Sequence, residues 1–117
     1  MKADEKVFGV FSDWQPFPHP RHGGRLEGPF GPGCYELRYS DTRELLLCGS
    51  SSHVCWRMTS LLPAPFGQGA RNKSKKREDV WKNITRVEYR TMACNGVLEA
   101  QAMEARLLAE NTYIHPR

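Results

Sequence analysis

Hydrophobic and polar positions change period several times along the chain, and each change marks an element. Val7-Phe8-Gly9-Val10-Phe11 predicts a first short strand. Between residues 16 and 33 the pattern breaks off, because five of the eight prolines and five of the ten glycines fall there. Neither a helix nor a central strand tolerates that composition, so an ordered loop packed on the domain is expected. From Gly33 to Tyr39 the chain alternates, with Tyr35, Leu37 and Tyr39 on one face and Cys34, Glu36 and Arg38 on the other. That is the period of a half-buried strand. Ser40-Asp41-Thr42-Arg43 supplies turn chemistry, and Glu44 to Gly49 is apolar on both faces, as in a central strand covered from both sides. The serines Ser50, Ser51 and Ser52 predict the cap of a helix reaching about Leu62, with Val54, Met58 and Leu61 as its apolar stripe and Pro63 and Pro65 as its stop. A short helix around Arg77–Asn83, a third alternating strand from Ile84 to Met92 and a last helix from about Gly96 to Glu110 complete the order. The predicted class is α+β, a small three-stranded antiparallel sheet flanked by helices. Residues 1–32 form a short strand and Pro/Gly-rich loop packed on it, and residues 33–117 form the main unit.

Composition narrows the picture. With 117 residues, one core is expected, and 39% hydrophobic with 26% charged residues argues against disorder or a collagen-like chain. No run of 18 apolar residues exists, and the charged start Met1–Lys6 precedes an apolar stretch too brief for a secretory signal. A cytoplasmic protein without a membrane partner is therefore expected. Cys34, Cys48, Cys55 and Cys94 lack the C-x-x-C spacing of zinc sites and read as reduced, mostly buried thiols. His19 and His22 have no third ligand nearby and receive no role. The net charge of +4 is localised: between Gly67 and Arg90 eight Lys and Arg residues face three acids. A basic segment holding Arg71, Lys73, Lys75, Lys76 and Arg77 on a near-neutral body is a candidate phosphate-binding surface; the plainer reading is a solvated charged face.

On a wheel of about 100° per residue, Glu99, Arg106 and Glu110 of the last helix cluster on one side. Glu104 falls opposite, between Val97, Ala100 and Leu108. A carboxylate turned toward the body of a domain needs a cation or hydrogen-bond donors. It is either half of a buried ion pair with an arginine or a metal ligand or acid/base group at the edge of a cleft. Arg57 lies beside the apolar stripe of the first helix, where it could meet Glu104 or a phosphate.

These residues carry a resemblance. Gly33-Cys34-Tyr35, then eleven residues, Leu47-Cys48-Gly49, then Arg57, and a carboxyl-terminal helix containing Leu98-Glu99-Ala100-Gln101-Ala102-Met103-Glu104-Ala105 resemble the GIY-YIG nuclease domain. That domain occurs in bacterial excinuclease incision subunits, homing endonucleases and some restriction enzymes, and the likeness spans about residues 30–115. It implies that Tyr35 lies in the active site near the water or metal, that Gly49 keeps the backbone close to substrate, and that Arg57 contacts the scissile phosphate. Glu104 would hold a single Mg²⁺ or Mn²⁺ ion, with no small-molecule cofactor. The chain departs from the family in three places. Leu47 replaces the tyrosine of the second triplet, and Leu61 replaces a histidine or tyrosine four residues after the arginine. The asparagine expected about three helical turns beyond the glutamate is absent, since Asn111 comes too early.

The expected function is a small metal-dependent endonuclease acting on nucleic acid, DNA before RNA, with Tyr35, Arg57 and Glu104 converging on one depression beside Gly49. Two alternatives stand against it. One is a catalytically weakened module that binds nucleic acid through the basic segment and Trp56 or Trp81; the other is a protein-interaction domain using the Pro-rich loop.

Overall fold

The computed structural model describes residues 9–19, 26–61 and 75–116. The class is α+β as expected, but among the described residues the antiparallel sheet has four strands rather than three. They are β1 (Gln15–Pro16), β2 (Gly33–Tyr39), β3 (Leu45–Ser51) and β4 (Val87–Ala93), in the order β1-β4-β2-β3. The helices are α1 (Val54–Thr59), α2 (Lys75–Lys82) and α3 (Val97–Glu110), with a 3₁₀ turn over Ile84–Arg86 before β4. The extra strand comes from the proline-rich stretch. Gln15 and Pro16 pair with Tyr89 and Glu88 at the sheet edge, where a proline without an N–H is tolerated. The strand expected over residues 7–11 lies partly outside the described residues, and Phe11 contributes only an isolated bridge to Met92.

The apolar run of β3 is buried on both faces, with Leu46, Leu47 and Cys48 almost inaccessible. Its place in the sheet differs from the expected one: β2 is flanked by β3 and β4, while β3 is an edge strand. Its outer rim is covered near Leu45 and Leu46, whose carbonyls accept the amides of Ile114 and His115 at 3.0 and 2.9 Å. Periodicity reports which faces are covered and is silent about lateral neighbours.

Helix α1 is shorter than its pattern suggests. Ser50 and Ser51 remain in β3, where they pair with Cys34 and Gly33, so the cap falls to His53, whose Nδ1 accepts the Trp56 amide at 3.0 Å. At the other end the Ser60 hydroxyl donates to the Arg57 carbonyl at 2.7 Å and closes the last turn before the prolines. Pro63 and Pro65 lie outside the described residues.

Strand alternation sorts the core into two layers. Tyr35, Leu37, Tyr39, Leu47, Val87 and Tyr89 pack with Val54, Met58 and Leu61 around α1 and with Val80 of α2. On the opposite face Cys34, Met92 and Cys94 meet Ala100 of α3, and Cys48 meets Leu107 and Tyr113. Gly33 marks the close approach of α1: a Cβ there would stand 3.0 Å from Val54 Cγ2 and collide with the Met92 carbonyl. Among the described residues, no helix is long and apolar enough to cross a membrane.

Candidate functional site

The β2–β3 register brings the two triplets of the sequence together. Tyr35 pairs with Gly49, and Cys34 pairs with Ser50. The Tyr35 ring lies directly over Gly49, so that a Cβ at this glycine would land on the tyrosine hydroxyl, with Cζ 2.5 Å away. Only a residue without a side chain admits that approach. On the next residue of β3, the Ser50 hydroxyl donates to Glu104 Oε1 at 2.5 Å. Among the described residues, Ser50 is the one hydrogen-bond partner of this carboxylate.

Tyr35 and Glu104 therefore attend neighbouring residues of one edge strand, but from opposite faces of the sheet. Tyr35 and Gly49 face α1, whereas Cys34 and Ser50 face α3. The expected single depression is not what the side chains form: the period of two that puts Tyr35 above Gly49 puts Ser50, and with it Glu104, below. Contacts from the Tyr35 ring through Gly49 and Ser50 bound the distance from Cζ to the Glu104 carboxylate at about 13 Å. The Glu104 carboxylate lies close enough to Cys34 and Cys48 to help raise both thiol pKa values, although burial is the largest cause in each; Cys48 is pushed up to about 11. Of the helical neighbours expected around Glu104, Ala100 is buried and Leu108 half-buried, but Val97 is exposed.

Arg57 sits half-buried on α1, on the Tyr35 side, and does not reach Glu104. Among the described residues, its guanidinium has no hydrogen-bond or ion-pair partner. In the basic segment, Lys75 is exposed and Lys76 half-buried, while Arg77 Nε donates to the Ser60 carbonyl at 3.2 Å. That bond ties α2 to the carboxyl end of α1. Arg71 and Lys73 lie outside the described residues. Leu47 and Leu61, which replace polar positions of the resembled family, are both closed into the core.

Sequence reasoning missed a buried polar cluster on the α3 face. Glu36 is 1% exposed, accepting from Arg90 Nε at 2.8 Å and from the Tyr113 hydroxyl at 2.5 Å. The Arg90 guanidinium lies over the rings of Phe11 and Trp14, at 4.1 and 4.6 Å from their centroids. Burial and the Glu36 carboxylate push the Tyr113 hydroxyl pKa upward. The sequence did hold a signal, opposite charges at polar positions of two alternating strands, but only the register Glu36↔Arg90 makes it specific. His53 was also missed as a cap, since serine is the commoner cap residue.

Among the described residues, no group of three or more His, Cys, Asp or Glu side chains is arranged to hold a metal ion. Comparison of the chain with protein-family models, with curated proteins and with solved structures returned no match.

Proposed function

We propose that the chain is a small metal-dependent endonuclease of the GIY-YIG type, hydrolysing phosphodiester bonds in nucleic acid, with DNA the first substrate to test. The observation that supports it is the meeting at Gly49-Ser50: the tyrosine of the first triplet lies over the glycine of the second, and the helical glutamate is held by the residue that follows. In this reading Arg57 takes the scissile phosphate through a guanidinium that has no partner among the described residues, Tyr35 offers its hydroxyl beside Gly49, and Glu104 holds a divalent ion. A lone carboxylate with one oxygen on Ser50 suits hydrated Mg²⁺ or Mn²⁺, because such an ion keeps several waters and takes its other oxygens from substrate phosphates. Bound there, the ion supplies charge neutralisation and a more acidic water. Lys75, Lys76 and Arg77, with Arg71 and Lys73 of the same segment, bind the flanking phosphates without reading bases.

The test is incubation of the chain with supercoiled plasmid and with single-stranded DNA, in Mg²⁺ or Mn²⁺ and then in chelator. Cleavage that disappears on chelation is expected. Salt-sensitive binding without cleavage would replace this reading with that of a binding module. Two observations favour the second reading: Leu47 and Leu61 leave no hydroxyl or imidazole at two polar positions of the family, and Tyr35 and Glu104 face opposite sides of the sheet.

A further inference from the structure

Phe30 is 75% exposed, and the chain holds it there. The amides of Cys55 and Val54 donate to the carbonyls of Pro29 and Gly31 at 3.0 and 3.2 Å, tying the strap on both sides of Phe30 to the first turn of α1. The His53 ring stands edge-on to it, centroids 5.7 Å apart. His53 is itself fixed, since Nδ1 accepts the Trp56 amide and the His53 amide donates to the Ser51 hydroxyl at 3.0 Å. Trp56, 48% exposed, and Arg57 follow the cap residue His53 by three and four positions, the spacing that brings residues together on one side of a helical turn. Among the described residues, neither Phe30 nor Trp56 belongs to a core cluster, and the Arg57 guanidinium beside them has no hydrogen-bond or ion-pair partner. The basic helix α2 is tied to the other end of α1 by the bond from Arg77 Nε to the buried Ser60 carbonyl.

We propose that Phe30, His53 and Trp56 form a stacking platform for an unpaired base, with Arg57 taking the adjacent phosphate. The inference rests on the nuclease reading for the choice of nucleic acid as partner, and it narrows the substrate to a single strand or a locally unpaired site. Aromatic faces accept any base, but a base within a duplex is already stacked on its neighbours and cannot offer its face. Lysine-rich surfaces alone would take duplex and single strand through phosphate without this preference.

The test is fluorescence anisotropy of the full chain, in chelator to prevent cleavage, with a short labelled single strand of DNA, the same sequence as RNA, and the corresponding DNA duplex. Either single strand is expected to bind more tightly than the duplex, and the DNA and RNA arms show which sugar is preferred. Phe30→Ala and Trp56→Ala should each weaken single-strand binding by about tenfold while leaving duplex affinity unchanged. Phe30→Tyr and Trp56→Phe keep the rings and should restore binding, which separates stacking from folding damage. A strand with abasic sites should not distinguish the wild type from the alanine variants. Equal weakening of duplex and single strand, no weakening of either, or duplex binding as tight as single-strand binding would overturn the proposal. Strand preference without metal-dependent cleavage keeps the platform and removes the nuclease. Metal-dependent cutting of duplex unaffected by Phe30→Ala and Trp56→Ala does the reverse.

Discussion

Glu36 and Glu104 both face α3, and their surroundings assign them different work. Glu36 is enclosed and doubly bonded, to Arg90 and Tyr113. Glu36→Ala would leave Arg90 and the Tyr113 hydroxyl without their acceptor and should cost about 3–4 kcal/mol, the lower part of the range for a broken buried pair because Arg90 keeps some contact with water. Urea unfolding measures it, and the exposed pair Arg106–Glu110 is the control: Glu110→Gln should barely move the midpoint. Gly49 gives a second residue-scale expectation. Gly49→Ala must push the buried Tyr35 ring aside and should cost about 1–3 kcal/mol, the penalty of overpacking. An alanine variant as stable as the wild type would show that the ring moves freely and that the Tyr35–Gly49 approach is not a built feature.

At the scale of elements, the sequence pattern located β2, α2, α3 and most of β3 and β4, because each has a period or an apolar run that survives into the fold. It failed where a neighbour decided the outcome. β3 reads as central because both faces are covered, yet its lateral partner on one side is the carboxyl-terminal segment at Ile114 and His115, which no period announces. The candidate site shows the same limit: the family resemblance singles out Tyr35, Gly49, Arg57 and Glu104, and the helical wheel points to the last two, while the side of the sheet each occupies depends on register. The serines before α1 looked like its cap until strand pairing claimed two of them. His53→Ala should accordingly cost about 1 kcal/mol through loss of the cap, whereas Ser52→Ala should be near neutral. The carboxyl-terminal segment reaches further than its own strand-like contact, since His115 Nε2 meets Asp79 Oδ2 of α2 at 2.5 Å. Deleting residues 112–117 should lower the unfolding midpoint and open Cys48, packed beside Tyr113, to alkylation in the native state. An unchanged alkylation rate would show that Tyr113 does not shield that thiol.

For the whole molecule, four free cysteines, three of them buried, set a limit on alkaline stability. Burial raises the Cys48 thiol from an ordinary 9.0 to about 11, and Cys34, Cys94 and Tyr113 are raised in the same direction. The folded chain thus holds these protons more tightly than the unfolded chain. Their contribution to stability is fully present below pH 9 and is lost as pH rises through the folded-state values. Urea midpoints should fall steadily above pH 9, and a profile flat to pH 11 would contradict the buried, reduced thiols. The central functional claim is that the Glu104 carboxylate serves metal-dependent cleavage rather than the fold. Its most direct test is Glu104→Gln, followed at once by plasmid nicking in Mg²⁺ and by melting temperature. Glutamine can still accept from Ser50 but withdraws the negative charge that a hard cation needs. The expected result is loss of cleavage by about a hundredfold or more at an unchanged melting temperature; cleavage at the wild-type rate, or activity lost only in step with a fall in melting temperature, would contradict it.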